Sequence, residues 1–569
     1  MLNSAASTPE FDRWLGAFFD SYYKYRPVNA TFIGVHDYDA SLPDYSEAGL
    51  ADTLGNMQSM LQELGQLPAE QLSRAQRIDR QLCEGYLQIQ CWEYEQDHFL
   101  RGNPGLYAGE AIFGVLALFL SDYAPLSDRV AAAAERLHAI PDLLRQGREN
   151  IRQQVPAEWI THTIAECRGA LEFLNDGALL APGEDVTTAY TQGVQQATQA
   201  FREFASFLDE KLQDTSLDRH GCGEEALSLH LRRAHCLEKD ADEIAQYAEA
   251  QLVTASKYLD EHRADFDAEN CDEVLVGLSR IHPATDQYYD RYQETWDEMH
   301  RIAEDRELIT WPDFPIRYVP QPVWARAAAA DLYFLYYRSP AAFNRPPLHD
   351  YLVTPIDASM PAEQQQRLLR ANNDSAIKLN HVVHHGGIGH HIQNWHAFRS
   401  PSRVGQIAAV DCASRIAMNC GATMAEGWAC YATDLMAEAG GLSDREIYAE
   451  YQSRTRMCAR AIVELRLHQG RFSFAQAVDF YVQKAGMSRD SAMYETTRNS
   501  MFPGSAVMYL TGCDAIHDLR ATLSALQGSR FSLREFHDQF LSYGSIPVAL
   551  IAQAMLEEED RVTEHQAPA

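Results

Sequence analysis

Apolar residues recur at helical spacing along most of the chain, and capping signals mark where several helices begin. Ser443 and Glu446 form a capping-box pattern before a long helical stretch, Asp444–His468, and Gly470 follows its end. Similar signals or compositions predict further helices after Thr8, Ser473 and Ser532 and over residues 130–144 and 190–212. The pattern therefore predicts a mostly α-helical protein.

One region departs from this helical pattern. Residues 308–323 (LITWPDFPIRYVPQPV) and 349–356 (HDYLVTPI) are short, rich in β-branched or aromatic residues, and interrupted by proline. We expect a small β-sheet there. The same prolines suggest a soft boundary between a helical region over 1–305 and a second helical region over 306–569, which carries the sheet and the chemistry, with both packed as one body.

The net charge of the chain argues against some classes of function. The chain has 569 residues, of which 80 are acidic and 48 are basic, so its formal net charge is −32. A surface this acidic repels nucleic acids and anionic membranes. No apolar stretch reaches the roughly 18 residues that a membrane span requires. We therefore expect neither a nucleic-acid nor a membrane partner, and the sequence leaves open whether the chain forms a homo-oligomer.

The cysteines bear on the cellular compartment. There are 11 of them, an odd number, and they are scattered without a C-x-x-C pair. This usage is typical of a reducing compartment and not of a disulfide framework. The opening residues, MLNSAASTPEFDRW, lack the basic stretch and apolar run of a signal peptide. We therefore expect a cytoplasmic location.

The most informative segment is HVVHHGGIGHHIQNWH at residues 381–396, where six imidazoles would be costly to bury without a partner such as a metal. His384 and His390 cannot share a metal on a regular helix, because positions six apart face about 120° away from each other. The intervening glycines permit a bulge or break that would bring the two together. His381 and His385 form a competing pair, four apart, that needs no break.

A third ligand is expected from a later helix. Glu426, in the sequence AEGWACY, lies 36 residues after His390 (426 − 390), which leaves room for a loop and a returning helix. Two histidines and one carboxylate with an open fourth position form the arrangement of catalytic zinc. The residues therefore predict Zn²⁺, or another divalent transition metal, at His384, His390 and Glu426. Trp428 and Tyr431 are expected to pack beneath the glutamate.

These motifs resemble the bacterial domain-of-unknown-function 885 family, a largely helical group regarded as metallopeptidase-like. The family pattern H-E-x-x-P-G-H-H corresponds to HHGGIGHH at 384–391, and E-G-W-A-x-Y corresponds to EGWACY at 426–431. Further similarities extend almost end to end, at residues 27–39, 460–468, 498–512 and 544–547. The resemblance implies a zincin-like, gluzincin-like helical fold with the small sheet near the active-site cleft. It implies a metal bound by His384, His390 and Glu426, and no particular substrate.

The chain departs from the family pattern after the first motif histidine. The family has a glutamate there, the expected general base, whereas this chain has His385, and Ile388 replaces the motif proline. One reading makes His385 the base, since an imidazole of pKa near 6.5 suits proton transfer at neutral pH. A second makes it an extra ligand, which would favour iron, nickel or another metal. In a third, hydrolysis is lost or changed.

Other side chains are expected around the metal. Tyr509, by the family match, is expected to donate a hydrogen bond to an oxyanion. Arg498 is expected to bind a substrate carboxylate through its planar guanidinium. His391 and His396 are expected to hydrogen-bond to the metal ligands and fix their tautomers. Glu464 and His468, four apart on one helix face, could ligate a metal or act as acid and base, but such a pair more often makes a supporting or surface contact.

The function that the sequence predicts is a metal-dependent hydrolase of a small polar amide, ester or peptide-like substrate, with His385 moving the proton. The alternative is a metal- or ligand-binding protein that has lost catalysis, and a non-hydrolytic metal enzyme, a lyase or an oxygen-using enzyme, is a third hypothesis. The sequence contains no Walker-type phosphate loop and no G-x-S-x-G elbow. The histidine segment therefore remains the main candidate for chemistry.

Overall fold

A computed structural model of the chain describes residues 8–152, 154–326, 328, 342–407 and 415–566. The described chain is mostly α-helical, which confirms the predicted fold class at that level. It divides into two compact units, one of residues 1–222, 321–345 and 411–415, and one of residues 223–320, 346–410 and 416–569. The boundary near residue 305 that the sequence suggests falls inside the second unit and stays a prediction.

The first unit contains eight long or medium helices among its described residues. They are α1 (Pro9–Tyr25), α2 (Pro27–Ile33), α3 (Glu47–Gln66), α4 (Arg74–Glu95), α5 (Gly105–Leu116), α6 (Leu126–Asn150), α7 (Ala157–Glu172) and α8 (Thr188–Asp214). Arg136 of α6 is fully buried, and its guanidinium donates to the hydroxyl of Thr31 and to the carbonyls of Ser41 and Gly114. These bonds satisfy the buried cation and tie α2, the turn after it and α5 to α6.

The helices that follow build the second unit. They are α9 (Glu224–Arg233), α10 (Ala241–His262), α11 (Cys271–Ser279), α12 (Tyr288–Asp305), α13 (Ala362–Ala371), α14 (Asp374–Ala376), α15 (His390–Ala397), α16 (Arg403–Ile407), α17 (Arg415–Cys420), α18 (Ala422–Glu438), α19 (Asp444–His468), α20 (Phe474–Ala485), α21 (Arg489–Met501), α22 (Met508–Gln527), α23 (Leu533–Ser542) and α24 (Val548–Gln566). The capping box of Ser443 and Glu446 is present at the start of α19, which has the predicted bounds. The capping signal thus locates this helix correctly.

The predicted sheet consists of two parallel strands in the described chain. Strand β1 (Ile316–Pro320) pairs with β2 (His349–Val353), in a register that places Tyr318 opposite Tyr351. Both tyrosines are buried on the same face of the sheet. The hydroxyl of Tyr318 donates to the carbonyl of His381 at 3.3 Å, and that of Tyr351 lies 2.8 Å from His381 Nδ1, so this small sheet borders the histidine segment.

Helices α18 and α22 approach each other backbone to backbone. A Cβ atom added to Gly427 would lie 2.5 Å from the backbone of Gly512, and one added to Gly512 would lie 2.1 Å from the carbonyl oxygen of Thr423. Only glycine fits at these two positions. The close approach brings side chains on the facing sides of the two helices together. Within the described residues, none of the helices is both long and apolar enough for a bilayer span.

Candidate metal centre

The histidine segment is an irregular helix followed by a break. Residues Ile377–Gly386 form a π-helix, Gly387–Gly389 leave helical geometry, and α15 begins at His390. The amide of Gly389 donates to the carbonyl of Val383 at 2.9 Å. A Cβ atom on Gly389 would lie 1.9 Å from the carbonyl oxygen of His384, so this turn requires glycine. The break that the glycines predict is therefore present.

Two tryptophans hold the backbone of this break in place. The indole N–H of Trp296 donates to the carbonyl of Gly386 at 3.1 Å, and that of Trp428 donates to the carbonyl of Ile388 at 2.8 Å. Carbonyls at a helix break lose their usual partners, and these bonds replace them. Trp428 therefore connects the E-G-W motif of α18 directly to the histidine segment.

Three of the predicted ligands converge. Glu426 Oε2 lies 3.4 Å from His384 Nε2 and 3.8 Å from His390 Nε2. Two ligands of a tetrahedral zinc, each about 2.0–2.2 Å from the ion, lie about 3.3–3.5 Å apart. Glu426 Oε2 is buried and has no hydrogen-bond partner among the described residues. The donor set and its spacing therefore fit a zinc-class ion.

His385 joins the same group. Ligand-type atoms of His384, His385 and His390 all lie within 4.8 Å of one another. The Nδ1 atom of His385 lies 2.8 Å from the carbonyl oxygen of Asn380, and because a carbonyl only accepts, Nδ1 carries the proton. A neutral ring with a protonated Nδ1 keeps its lone pair on Nε2. His385 can thus accept a proton or bind a cation through Nε2.

Burial governs the protonation of the centre. It lowers the pKa of His390 to about 3, against the opposing pull of the Glu426 carboxylate. Burial, assisted by the neighbouring His384 and His390, also lowers the pKa of His385 well below its ordinary value. Burial by itself would raise the pKa of Glu426, but the adjacent imidazoles of His384 and His390 hold its pKa below the ordinary value. Neutral imidazoles beside a carboxylate are the ionisation states in which these groups bind metals.

The other histidines of the segment point to different partners. His381 Nδ1 lies 2.8 Å from the hydroxyl of Tyr351, so it is bonded to the sheet and is not among the converging histidines. His391 Nε2 lies 2.8 Å from the carbonyl oxygen of Phe314, and its ring stacks on Phe314. His396 packs against Trp395. The structure thus brings together His384 with His390, and it does not form the competing His381–His385 pair.

Tyr509, at the start of α22, lies within electrostatic reach of Glu426. Its ring lies under the guanidinium of Arg460, 4.7 Å from the ring centre, and Arg460 in turn forms a two-pronged ion pair with Glu495. Arg498 acts electrostatically on Tyr509 and Glu495. The structure thus places the predicted Tyr509 and Arg498 in one charged cluster. Arg460, which the sequence marks only as the first residue of a motif, belongs to it.

Glu464 supports Tyr509 indirectly. Its carboxylate is fully buried on α19 and accepts hydrogen bonds from the amides of Ala506 and Val507, at 2.8–3.0 Å. These amides precede the first turn of α22, where an acceptor satisfies otherwise unpaired donors. His468, four residues later, donates to the carbonyl of Asn499 at 3.0 Å. Both residues therefore organise the loop before Tyr509.

The rest of the E-G-W-A-x-Y motif is structural. Gly427 permits the close approach of α18 to α22, as described above. Tyr431 is fully buried, and its hydroxyl lies 2.8 Å from His537 Nε2 and 2.9 Å from the guanidinium of Arg520. Trp428 and Tyr431 thus pack around the turn of α18 that presents Glu426, as expected.

Two solved structures resemble this chain over nearly its whole length. One, from Shewanella oneidensis, is described as "a putative lipoprotein of unknown function" and superposes with a TM-score of 0.74, at 22% identity over 97% of this chain and 100% of the other. The second, "the putative lipoprotein from Colwellia psychrerythraea", has a TM-score of 0.76, at 17% identity over 97% and 99%. At these identities the likeness shows a shared fold. A search of curated proteins found no match.

The descriptions of these two structures contradict the cytoplasmic location predicted from the sequence, since lipoproteins are exported proteins. The prediction was wrong because cysteine usage is a weak guide for a chain of this size. A large hydrophobic core stabilises such a chain without disulfides, whatever the compartment.

A family model extends the comparison from fold to sequence. It matches residues 27–555, which include the histidine segment, the E-G-W motif and the stretch around Tyr509. This match confirms the family resemblance that the motifs indicate. The chain belongs to the family described as bacterial protein of unknown function (DUF885).

Proposed function

We propose that this chain is a metal-dependent hydrolase of metallopeptidase-like, zincin type that acts on a small polar amide, ester or peptide-like substrate. The observation that supports it most is the meeting of His384, His390 and Glu426 at separations of 3.4 and 3.8 Å, which fit ligands of one zinc-class ion. A bound ion supplies Lewis-acid polarisation of a carbonyl oxygen and of a water molecule. The zincin-like description of the architecture belongs to this proposal.

His385 takes the role of the motif glutamate. Its Nδ1–H is held by the Asn380 carbonyl, which leaves the lone pair of Nε2 on the side of the other two imidazoles. A neutral imidazole in this orientation accepts a proton from a water molecule in the centre and returns it to the leaving group. The hydrogen bond to Asn380 fixes both the ring orientation and the tautomer that this step requires.

Tyr509 and Arg498 provide the groups that meet negative charge. Burial and the Glu426 carboxylate raise the pKa of Tyr509, so its phenol stays protonated and can donate a hydrogen bond to an oxyanion. The cation of Arg460 against its ring holds the phenol in place. Arg498, in the same cluster, supplies a planar cation for a substrate carboxylate.

The test combines metal analysis with hydrolysis. Protein purified without added metal, and protein reloaded with Zn²⁺, are compared as wild type, His384→Ala and His390→Ala, with His396→Gln as the matched histidine control. We expect wild type and the control to hold zinc and to cleave members of a panel of amides, esters and dipeptides. Stoichiometric metal retained at this centre in both alanine variants would end the proposal.

A second candidate function rests on the position of His385. Because its ligand-type atom lies within 4.8 Å of those of His384 and His390, it can complete a set of four protein donors. A zinc with four protein ligands is a structural site without an open position. The chain would then be a metal-binding protein without hydrolytic activity.

His385→Ala separates these two functions. If His385 is the base, the variant retains zinc and loses about 10²–10⁴-fold in hydrolysis. If it is the fourth ligand, the wild type hydrolyses nothing in the panel and the variant binds zinc much more weakly. His396→Gln again serves as the control, because its ring packs on Trp395.

A further inference from the structure

A second group of metal-ligand side chains lies on the facing sides of α18 and α22. Ligand-type atoms of Asp434, Cys513 and His517 all lie within 4.8 Å of one another. Asp434 Oδ2 lies 2.9 Å from His517 Nε2 and 3.5 Å from Cys513 Sγ. Neither the histidine segment nor the E-G-W motif includes any of these residues.

We propose that Asp434, Cys513 and His517 form a second metal site, which takes a zinc-class divalent ion. This site is independent of the proposed hydrolytic function.

The donor set selects the class of ion. A thiolate and an imidazole are ligands for Zn²⁺ and similar transition-metal ions, whereas Mg²⁺ and Ca²⁺ prefer oxygen ligands. A zinc bound at about 2.3 Å to sulfur and about 2.1 Å to oxygen holds these two atoms about 3.6 Å apart. The distance between Cys513 Sγ and Asp434 Oδ2 is 3.5 Å. The imidazole of His517, at 2.9 Å from Asp434 Oδ2, must move outward to admit the ion.

Regular helix geometry builds this group. Cys513 and His517 are four apart on α22, so they share one face of that helix. Asp434 lies seven residues (434 − 427), about two turns, after Gly427 on α18, and is therefore on the side of that helix that faces α22. Cys513 follows Gly512, at the closest approach of the two helices. Three ligands on two rigid helices form a site that needs little rearrangement on binding.

One of the three side chains is buried and the other two are partly exposed, which leaves a path for a metal ion from solvent. Cys513 is 1% exposed, whereas the side chains of His517 and Asp434 are 30% and 40% exposed. An ion could therefore enter from solvent and keep a water molecule as its fourth ligand. The thiolate is the form of cysteine that ligates metals, so binding would release the thiol proton of Cys513.

The same three residue types also occur in cysteine nucleophile sites, but the contacts differ. A catalytic thiol is activated by an imidazole that the carboxylate orients from behind. Here the carboxylate oxygen of Asp434 contacts both the thiol and the imidazole. The Cys513 thiol is also buried, which limits its access to a substrate. The geometry thus favours a metal site over a nucleophile.

The two sites are too far apart to act as one two-metal centre. Glu426 and Asp434 are eight residues apart on α18, which is about 12 Å along a helix, whereas paired catalytic metals lie about 3.5–4 Å apart. The second ion would therefore join α18 to α22 without taking part in hydrolysis.

Cobalt titration distinguishes the sites, because a thiolate bound to Co²⁺ gives a charge-transfer band and the first site offers no thiolate. Metal-stripped, reduced full-length protein is titrated with Co²⁺ and followed by absorption and by metal analysis. We expect two equivalents to bind, one of them with the band. Cys513→Ser should bind one equivalent without the band, and Asp434→Asn should weaken the band-forming step at least about 10-fold.

Two further variants complete the test. His390→Ala should keep the band even if the first site no longer binds metal. Cys430→Ser should also keep the band, because Cys430 lies on α18 with Asp434 but is not one of the three converging groups. Asp434→Asn alters a partly exposed side chain, so a variant that folds is available even if Cys513→Ser does not fold. Absence of the band from wild type, or its survival in Cys513→Ser, would overturn the proposal.

Discussion

The two ligand clusters both use α18 but are built in different ways. The cluster of His384, His390 and Glu426 depends on a break in the backbone, whereas that of Asp434, Cys513 and His517 uses only regular helices. The first is mostly buried, and two of the three residues in the second are partly exposed. Irregular backbone is costly and occurs where function requires it. This contrast supports the proposed chemistry at the first cluster and the proposed structural ion at the second.

The largest effect is expected when a ligand of the first cluster is removed, because zinc binding there should then be lost. His390→Ala removes one of three protein ligands, so zinc affinity at that centre should fall by more than about 100-fold, beyond the usual effect of changing a supporting residue. Isothermal titration with Zn²⁺ measures it. His396→Gln, in the same segment, should bind like wild type. Equal affinity of His390→Ala and wild type would show that the centre does not use this imidazole.

The next largest effect comes from the backbone of the break. Gly389→Ala would place a methyl group 1.9 Å from the carbonyl oxygen of His384, so the turn must open and the two histidines must separate. We expect a loss of at least about 2 kcal/mol in the free energy of unfolding, together with loss of zinc at the first centre. The cobalt band of the second cluster should remain. Denaturant unfolding and metal titration measure both.

Gly55→Ala in α3 is the matched control for that substitution. A Cβ atom there meets nothing within 4 Å, so alanine should stabilise the helix by up to about 1 kcal/mol. If Gly389→Ala behaves like Gly55→Ala, the break does not depend on glycine, and the contrast between the clusters fails.

A smaller effect is expected from the indole that bonds to the break. Trp428→Phe removes the N–H that donates to the carbonyl of Ile388 and leaves a buried acceptor unpaired. The expected cost is about 1–3 kcal/mol in the free energy of unfolding, with weaker zinc binding at the first cluster only. Unfolding curves with and without Zn²⁺ test this. Weakening of both clusters by the same factor would instead indicate a general loosening of α18.

The smallest effect per step of the measurement is a pH dependence beside the first cluster, which changes stability gradually over several pH units. Burial lowers the pKa of His391 to about 3, whereas the unfolded chain has a histidine pKa near 6.5. Between these values the unfolded state binds more protons, so stability is full above pH 6.5 and falls as the pH decreases. The slope from this residue is at most about 1.4 kcal/mol per pH unit. His391→Gln should flatten the stability curve of the metal-free protein between pH 4 and 6.5, and parallel curves would contradict this assignment.

The features that were predicted correctly from the sequence depend on residues that are close together along the chain. The capping box at Ser443 located α19, and proline with β-branched residues located both strands. The pairing of His384 with His390 across glycines also followed from local geometry. The sequence did not specify a π-helix, because its periodicity over ten residues cannot be separated from that of an α-helix carrying a bulge.

Contacts between distant segments were not predictable in the same way. Arg460 pairs with Glu495 across 35 positions, and Asp434 meets Cys513 across 79. Both depend on how helices cross, which the spacing within each helix does not determine. The sequence contains one clue to the crossing of α18 and α22, the glycines Gly427 and Gly512, because a glycine inside a helix indicates that another backbone comes close. Sequence alone, however, does not show that these two glycines meet.

Anomalous diffraction at the zinc absorption edge, from crystals of zinc-loaded protein, would show whether His384, His390 and Glu426 hold one ion. We expect a peak about 2.0–2.2 Å from His384 Nε2, His390 Nε2 and the nearest carboxylate oxygen of Glu426. A map with zinc bound elsewhere and no peak between these three side chains would contradict it.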